Sequence, residues 1–282
     1  GPHRPTGICF RPKGNMTATL ESIRFFLIDM DGVLYEGNRP LPGAKEFLNY
    51  LKERGLGFQL VTNNSILAPA QYVGKLAGMG IEIVESQVIT SGQAAVDYLK
   101  TIAPPGAPVY IIGEEGLVRP ALDAGFKLTE DKPKYVIMGL DRQFSYAKLK
   151  TAYWAISDGA EFIASNLDMS IPTETRPWPG SGAIGAAIHA CTGVSPKVIG
   201  KPEGEMLRMA MRRMGATLSE TLAIGDRLDT DIVGAHRAGL TSALVLTGIT
   251  HQTDLVDAAI KPDYVFTDLT ALRQALGAAG RS

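Results

Sequence analysis

Two acids separated by one residue, Asp29 and Asp31, are the clearest chemical signal in the sequence. They follow the apolar run 25–28, and residues i and i+2 of an extended segment project to the same side. Two carboxylates this close repel each other unless a cation or a shared proton lies between them. The pair therefore suits a nucleophile beside a general acid and base, with an oxygen-preferring metal ion between them. An ordinary turn closed by Gly32 would contain the same residues.

A second polar pair, Thr62 and Asn63, follows the apolar strand predicted at 58–61. A hydroxyl, a side-chain amide and the first N–H groups of a following helix can together bind phosphate oxygens. We predict that helix at 69–79. The same residue types also cap helices, so the pair alone leaves both interpretations open.

Lys201 is expected in the loop between a strand predicted at 197–199 and a helix predicted at 203–214. Pro202 would take the first helical position, where its missing N–H breaks no hydrogen bond. An ammonium group at this place can neutralise a phosphate and the charge that develops in the transition state. A solvated surface lysine is the alternative interpretation.

Two further acids, Asp226 and Asp231, follow the apolar strand predicted at 221–224. Asp226 could complete a carboxylate metal site with Asp29, and Asp231 could enter the next helix and orient the metal ligands. A loop followed by a helix cap would account for the same acids. Taken together, the acids, the hydroxyl–amide pair and the lysine all end predicted parallel strands, and such a set suits phosphoryl transfer.

The elements that must position these residues alternate between strands and helices. Further strands are predicted at 109–112, 135–138, 162–164, 243–246 and 264–266, and further helices at 44–51, 116–123, 146–157, 183–191 and 231–238. This alternation predicts an α/β fold with a Rossmann-like parallel-sheet core covered by helices. Proline–glycine clusters at 104–106 and 177–180 indicate the approximate borders of an inserted domain.

The composition limits the class of protein and of partner. Hydrophobic residues make up 45% of the 282 residues and charged residues 20%, as in folded globular proteins. The formal net charge of −1 gives no reason to expect nucleic acid or an anionic membrane as a partner. No apolar run has the length of a membrane span, and two cysteines without disulfide or zinc spacing favour a reducing cytoplasm.

Four motifs in the sequence occur in the order that one protein family shows. They are Asp29-Met30-Asp31-Gly32-Val33-Leu34-Tyr35, Thr62-Asn63-Asn64-Ser65, Gly200-Lys201-Pro202 and Gly225-Asp226-Arg227-Leu228-Asp229-Thr230-Asp231. On these motifs the chain resembles the haloacid dehalogenase-like phosphatases. Within them it looks like the NagD and p-nitrophenyl phosphatase branch, which includes phosphoglycolate and glycerol-phosphate phosphatases. The resemblance runs from about Arg24 to the end of the chain.

This resemblance implies a Mg²⁺-dependent phosphatase that works through a phosphorylated aspartate. Asp29 would be the nucleophile. Asp31 would protonate the leaving group and then activate water, while its carbonyl group meets Mg²⁺. Asp226 would bind the metal directly, and Asp231 would support the metal ligands.

The resemblance also implies how the substrate is held. Thr62 and Asn63 would bind the phosphoryl group, and Lys201 would pair with that group and with Asp29. The substrate would be a small phosphomonoester, with sugar phosphates, glycerol phosphate, phosphoglycolate, nucleotides and aryl phosphates all left open.

The long stretch between Asn63 and Lys201 corresponds in this branch to an inserted α/β cap that closes over the site and selects substrates. We predict a flexible extension at 1–20, a catalytic core at 21–98 and 184–282, and the cap at 99–183. Cap motifs similar to those of the family occur at 139–146 and 164–168, and they suggest contacts with substrate by Arg142, Gln143, Asn166 and Asp168. The resemblance leaves open a homodimer formed through the cap.

Two other classes of protein share parts of this pattern. A signalling receiver domain also phosphorylates an aspartate near Mg²⁺, but its paired acids precede the nucleophilic strand and it needs less than half this length. A catalytically silent binding protein of the same fold is the second alternative, and the intact set of acids and lysine argues against it. The glycine-rich run 180–185 matches a dinucleotide fingerprint, but no strand precedes it. We interpret it as a flexible connection that allows close helix packing.

Overall fold

Strands and helices alternate along the chain, as the apolar pattern predicts. The computed structural model describes residues 8–9, 18–173 and 175–280. The strands in chain order are β1 (Ile8–Cys9), β2 (Phe25–Asp29), β3 (Tyr35–Glu36), β4 (Arg39–Pro40), β5 (Gly57–Thr62), β6 (Val88–Thr90), β7 (Pro108–Ile112), β8 (Lys127–Leu128), β9 (Tyr135–Met138), β10 (Glu161–Ala164), β11 (Ser170–Ile171), β12 (Trp178–Pro179), β13 (Lys197–Val198), β14 (Thr221–Gly225), β15 (Thr241–Val245) and β16 (Tyr264–Phe266). The α-helices are α1 (Ala44–Glu53), α2 (Pro69–Ala77), α3 (Ser91–Ile102), α4 (Glu115–Asp123), α5 (Tyr146–Ser157), α6 (Ser181–Thr192), α7 (Glu205–Arg213), α8 (Val233–Ala238) and α9 (Leu269–Ala279).

The described residues divide into two units. Unit 1 takes its residues from Gly1–Val61, Val73–Val88 and Lys201–Ser282, and unit 2 takes them from Thr62–Tyr72 and Ile89–Gly200. The core and cap bounds given by the sequence, including 99–183 for the cap, stay a prediction.

A seven-stranded sheet organises unit 1, in the order β1-β16-β15-β14-β2-β5-β6. The chain adds β5 and β6 on one side of β2 and then returns with β14, β15 and β16 on the other side. Strand β2 is parallel to both neighbours, with Asp29 opposite Val61 and Ile28 opposite Ile224. The carboxyl ends of β2 and β14 therefore flank the point where the strand order reverses, which is the usual ligand-binding edge of an open α/β sheet.

Strand β2 is anchored by burial on both faces, which explains why its sequence is a continuous apolar run. Phe26, Leu27 and Ile28 are all at most 1% exposed. The ring of Phe26 packs edge-to-face on Phe47 of α1, with ring centroids 5.9 Å apart. Since each such side chain contributes roughly 1.5–3 kcal/mol when fully buried, the strand that ends at Asp29 is firmly fixed.

Unit 2 has a sheet of its own, in the order β13-β10-β9-β7-β8, in which the neighbouring strands run parallel. Helices α5 and α6 cover one face, where Ala152, Ile156 and Ile188 pack with Met138 and Phe162. The predicted α/β fold built on parallel sheets is therefore confirmed.

One predicted helix start is confirmed and another is wrong. Helix α2 begins at Pro69, as predicted, and between Asn63 and this helix the Asn64 side chain accepts from the N–H of Ile66 at 2.8 Å and forms a turn. Helix α7 begins at Glu205, so Pro202 lies in the preceding turn, after a cis peptide bond, and does not take the first helical position.

The glycine-rich run 180–185 is helical from Ser181 onward, so a flexible connection is the wrong interpretation. The close packing predicted for it is present. A β-carbon at Gly182 would lie 2.5 Å from the carbonyl oxygen of Leu167, and one at Gly185 would lie 2.6 Å from a methyl carbon of the same residue. The glycines let α6 approach the segment that follows β10.

Strand β6 and helix α3 are absent from the sequence predictions. The signal for them was present, since Thr90 and Gln93 have the spacing of a helix start, and the Thr90 hydroxyl accepts from the N–H of Gln93 at 3.0 Å. Pairing of β1 with β16 was also not predicted. Most of the extension predicted at 1–20 lies outside the described residues. Within the described ranges, no helix has the length and apolar character needed to cross a membrane.

Candidate active site

A buried lysine joins two acids at the carboxyl edge of the unit 1 sheet. Nζ of Lys201 lies 2.9 Å from Oδ1 of Asp29 and 2.6 Å from Oδ1 of Asp231. The side chain of Lys201 is 4% exposed, so the surface-lysine interpretation is wrong. An ammonium group this deeply buried is stable only because two carboxylates surround it.

The carboxylate of Asp226 is tightly enclosed. Its Oδ2 accepts from the N–H of Ile249 at 2.8 Å. Its Oδ1 is buried and has no hydrogen-bond partner among the described residues. Neither Gly32 nor Gly248 has room for a β-carbon, because one at either position would overlap Oδ2 of Asp226. The backbone therefore encloses this carboxylate. Its buried Oδ1 could still accept a hydrogen bond or bind a cation.

The carboxylate of Asp231 uses both of its oxygens to hold other parts of the site. Its Oδ2 accepts from the N–H groups of Asp226 and Arg227, each at 3.1 Å. Its Oδ1 accepts from Lys201. The residue lies in a π-helical turn, Leu228–Ile232, which brings its side chain back over the end of β14.

The charges in this cluster are unbalanced. Burial raises the pKa of Asp29 well above its ordinary value, the charges of Asp231 and Asp226 add to the rise, and Lys201 opposes it. Burial and Asp231 likewise raise the pKa of Asp226 to about 6. Burial lowers the pKa of Lys201, but the charges of Asp231 and Asp29 outweigh it and hold the pKa above its ordinary value. Lys201 thus stays charged, and its single charge does not offset three neighbouring carboxylates.

The donor set fits a hard divalent cation. Carboxylate oxygens of Asp29, Asp226 and Asp231 all lie within 4.8 Å of one another. Oxygen-only ligands of this kind favour Mg²⁺ or Ca²⁺ over softer metals. The unpartnered Oδ1 of Asp226 is an independent indication, because a cation would satisfy it.

Asp31 lies in the tight turn that follows β2. The N–H of Gly32 donates to the carbonyl of Tyr35 at 2.8 Å, which closes the turn. Nearby protein atoms partly desolvate the Asp31 carboxyl and raise its pKa, while the charge of Lys75 opposes the rise. Nζ of Lys75 lies 4.1 Å from the ring centroid of Tyr35. A carboxyl with a raised pKa suits a residue that must carry a proton.

Thr62 is the last residue of β5 and Asn63 follows it, and both belong to unit 2. Oγ1 of Thr62 accepts from the N–H of Asn64 at 3.1 Å, an arrangement that leaves its own hydrogen to donate. The carbonyl oxygen of Asn63 accepts from Nδ2 of Asn166 at 2.6 Å, and Nδ2 of Asn63 donates to Oδ1 of Asp168 at 3.0 Å. Asn166 and Asp168, which were predicted to contact substrate, thus both form hydrogen bonds with Asn63.

Arg142, also predicted to contact substrate, has its hydrogen bonds with Glu114 and none with Asn63 among those of the described residues. Its guanidinium donates to the carboxylate of Glu114 through Nε at 2.9 Å and Nη2 at 2.7 Å, and it remains half-exposed. These hydrogen bonds lower the pKa of Glu114 and keep it charged. The backbone N–H of Gln143 donates to Oδ1 of Asp141 at 2.8 Å, and its side chain has no hydrogen bond within the described ranges.

Sequence reasoning missed several residues of these sites. Gly248 and Ile249 come from a loop after β15 and have no side chain that could bind or react, so their residue types did not mark them. Ser91 was detectable, because the helix-start signal at Thr90 would have placed it directly after a strand. Glu114 had no signal, since an isolated surface acid is common.

Comparisons with known proteins place the chain in a family. Residues 26–127 match the family described as haloacid dehalogenase-like hydrolase, and residues 198–272 match a family described as HAD-hydrolase-like. An acid sugar phosphatase of Staphylococcus aureus is 39% identical over 251 residues, which cover 89% of this chain and 96% of that protein.

Solved structures agree with this placement. A 4-nitrophenylphosphatase from Thermotoga maritima has a TM-score of 0.87 at 36% identity, covering 91% of this chain and 98% of that one. A glycerol phosphate phosphatase from Mycobacterium tuberculosis, solved in complex with magnesium, has a TM-score of 0.85 at 34% identity, covering 93% and 80% of the two chains. NagD from E. coli has a TM-score of 0.82 at 32% identity, covering 88% and 97%. The chain therefore belongs to the haloacid dehalogenase-like hydrolases, and within them it is a phosphatase of the NagD and p-nitrophenyl phosphatase type.

Proposed function

We propose that this phosphatase hydrolyses small phosphomonoesters in a Mg²⁺-dependent reaction that passes through a phosphorylated Asp29. The observation that supports this most directly is the cluster of three carboxylates, two of them paired with buried Lys201, with Oδ1 of Asp226 lacking a hydrogen-bond partner among the described residues. The excess negative charge of such a cluster is costly without a bound cation, and Mg²⁺ bound together with a phosphate ester would supply one.

The first half of the reaction transfers the phosphoryl group to the enzyme. An oxygen of Asp29 attacks phosphorus, and the bond from phosphorus to the ester oxygen breaks. Asp31 gives its proton to that oxygen, so the leaving group departs as a neutral alcohol or phenol. In the second half Asp31 takes a proton from water, the water oxygen attacks phosphorus, and the bond to Asp29 breaks to release phosphate.

The remaining residues hold charge and position. Lys201 keeps its proton throughout, because its raised pKa holds it charged, and it would pair with Asp29 and the phosphoryl oxygens. Thr62 and Asn63 would donate hydrogen bonds to the same oxygens. Asp29, Asp226 and the carbonyl group of Asp31 would hold Mg²⁺, which when bound would neutralise charge on the phosphoryl group.

The names of the relatives suggest the range of substrates. Acid sugar phosphatase, glycerol phosphate phosphatase and 4-nitrophenylphosphatase point to sugar, glycerol and aryl phosphates, and we add phosphoglycolate and nucleotides as open members of the class. We propose that residues of the cap, Arg142 among them, choose between these esters. A cytoplasmic location and a homodimer through the cap are further predictions.

The test is the Asp29→Asn variant, which changes one oxygen to an amide and removes the nucleophile. Turnover of p-nitrophenyl phosphate at saturating Mg²⁺ should fall by at least about a thousandfold. Asp257→Asn makes the same change at an exposed position of unit 1 and should have wild-type activity. Wild-type enzyme quenched in acid during turnover should carry acid-stable phosphate on Asp29, detectable by mass spectrometry. Near-normal turnover by Asp29→Asn would rule out the mechanism.

A further inference from the structure

A buried polar cluster in unit 2 holds the segment that contains Thr62 and Asn63. We call it the Asn63 cluster, and its members are Asn63, Ser91, Asn166, Asp168 and Ser181. Ser91, Asn166 and Ser181 are each at most 3% exposed, and Asn63 is 8% exposed. Polar groups buried to this degree must find partners, so their mutual hydrogen bonds fix their orientations.

The cluster first fixes the backbone. The carbonyl oxygen of Asn63 accepts from Nδ2 of Asn166 at 2.6 Å and from the hydroxyl of Ser91. That carbonyl belongs to the same planar peptide group as the N–H of Asn64. On the other side of the peptide, this N–H donates to Oγ1 of Thr62 at 3.1 Å. Asn166 therefore fixes the plane of a peptide group that in turn orients the Thr62 hydroxyl.

The amide oxygen of Asn166 is also held by hydrogen bonds. Its Oδ1 accepts from the hydroxyl of Ser181 and from the N–H of Asp168, the latter at 3.1 Å. Both polar atoms of its amide are thus used inside the protein. Its position therefore favours an indirect effect on a bound ester, through the neighbours that it orients, over direct contact with the organic part of the ester.

The cluster next fixes the Asn63 side chain. Nδ2 donates to Oδ1 of Asp168 at 3.0 Å. An ionised carboxylate only accepts hydrogen bonds, so it selects the amide orientation that turns nitrogen towards it. At the other end, Oδ1 of Asn63 lies so close to Gly200 that a β-carbon there would be only 2.7 Å away. The opposite amide orientation would place two acceptor oxygens against each other.

We propose that Asp168 and Asn166 are positioning residues for phosphoryl binding. Asp168 sets the orientation of the Asn63 carboxamide, and Asn166 sets the peptide that aims the Thr62 hydroxyl. This inference rests on the proposed function, in which Thr62 and Asn63 bind the phosphoryl group. It assigns Asp168 a role shared by all substrates, in place of the selection among substrates expected for a cap residue.

A double-mutant cycle tests this assignment. The variants are Asp168→Ala, Asn63→Ala and the double variant, with kcat/KM measured for p-nitrophenyl phosphate, glycerol phosphate and a sugar phosphate. Asp168→Ala should lower kcat/KM about tenfold for all three esters, and should weaken inhibition by inorganic phosphate by a similar factor. In the Asn63→Ala background the same change should alter kcat/KM less than about twofold, because the group that it positions is gone.

Conservative variants guard against simple unfolding. Asp168→Asn retains an acceptor oxygen but loses the charge that selects the amide orientation, so it should recover part of the activity. Asn166→Asp has the same shape as the native residue but turns an acceptor towards the Asn63 carbonyl, and it should slow every ester when assayed well below its own, lowered Tm. Asp158→Asn changes an exposed acid of unit 2 and should behave as wild type.

The outcomes separate this inference from the proposed function. Equal losses from Asp168→Ala in both backgrounds would overturn it, and so would a loss confined to one ester, since both indicate direct contact with substrate. A wild-type enzyme without Mg²⁺-dependent turnover of any ester would instead overturn the proposed function itself.

Discussion

Nζ of Lys201 lies closer to Asp231, at 2.6 Å, than to Asp29, at 2.9 Å. In the proposed reaction only Asp29 would form a covalent bond, so the tighter partner of the lysine is the carboxylate that would stay unmodified. Phosphorylation of Asp29 would remove its charge, and Asp231 would still hold the ammonium group in place. This would give a role to an acid that is proposed to bind neither the phosphoryl group nor the metal directly.

Asp231→Asn should slow all esters together. The change removes the charge that fixes Lys201 and weakens the acceptor for the N–H groups of Asp226 and Arg227. We expect a fall in kcat of about ten- to a hundredfold for every ester, measured by steady-state kinetics. Asp229→Asn alters a mostly exposed acid of the same turn and is the matched control. Unchanged kcat in Asp231→Asn would contradict the positioning role.

Mg²⁺ binding should be visible in stability as well as in activity. Mg²⁺ at about 100 times its Kd should raise the free energy of unfolding by about 2.7 kcal/mol, which a thermal unfolding series with and without EDTA can measure. EDTA should also eliminate turnover, and added Mg²⁺ should restore it.

Asp226→Asn should remove a source of instability from the metal-free protein and should also remove the stabilisation by Mg²⁺. Burial and Asp231 raise the pKa of Asp226, so its ionised form is destabilising when no cation is bound. The neutral amide should therefore give the variant a Tm equal to or above that of the wild type in EDTA. The gain of stability on adding Mg²⁺ should be lost. If the variant gains as much as the wild type, Asp226 is not a metal ligand.

Gly248→Ala should disable the site without adding any charge. A methyl group at this position would overlap Oδ2 of Asp226, which also accepts from the N–H of Ile249. The carboxylate must then move, so we expect weaker Mg²⁺ activation and at least about a tenfold loss of kcat/KM. Gly277→Ala is the control, because nothing lies within 4 Å of its added β-carbon. Wild-type Mg²⁺ dependence in Gly248→Ala would contradict this prediction, because it would mean that the loop moves to make room for the methyl group and leaves Asp226 in place.

Arg142→Ala should change the ranking of substrates, in contrast to Lys201→Ala. Losing one charged contact typically costs about 1.5–3 kcal/mol, or roughly ten- to a hundredfold in kcat/KM, for those esters that use it. Lys201→Ala should slow all esters alike, since each presents the same phosphoryl group. Glu114→Gln, which leaves Arg142 in place without its carboxylate partner, separates loss of the guanidinium from loss of the ion pair. Uniform losses in Arg142→Ala, with selective losses in Lys201→Ala, would reverse the two assignments.

The gathering of Asp29 and Asp226 at one sheet edge could be predicted from sequence, because each follows a short apolar run and parallel strands bring their carboxyl ends to the same edge of a sheet. The same argument was wrong for Lys201, since the strand before it, β13, pairs with β10 in the sheet of unit 2. The order of β2, β5 and β14 in the sheet could not be predicted from the sequence pattern, because packing over the whole chain decides which strands become neighbours. The resemblance to a family supplied the roles of these residues, which no spacing alone could define.

Burial was the main feature that the sequence concealed. Lys201 stands among polar residues and gives every local sign of a surface lysine, yet long-range contacts bury it. The family-like motif 164–168 suggested that Asn166 contacts substrate, and nothing in that motif showed that its amide is enclosed by three neighbours in unit 2. Local pattern reports which residues can do chemistry, but the depth at which they lie depends on elements far away in the chain.

The separation of β2 from β14 has a consequence for synthesis on the ribosome. Asp29 and its partner Lys201 are 172 residues apart in the chain. At about 5–20 residues per second, roughly 10–30 s pass between their translation. Unit 2 is complete in sequence before Lys201 emerges, while the edge of β2 that will pair with β14 is still unpaired and open to wrong partners. The nascent chain therefore lacks Lys201, Asp226 and Asp231 until the last third of the sequence has been translated, so the proposed site is incomplete until then.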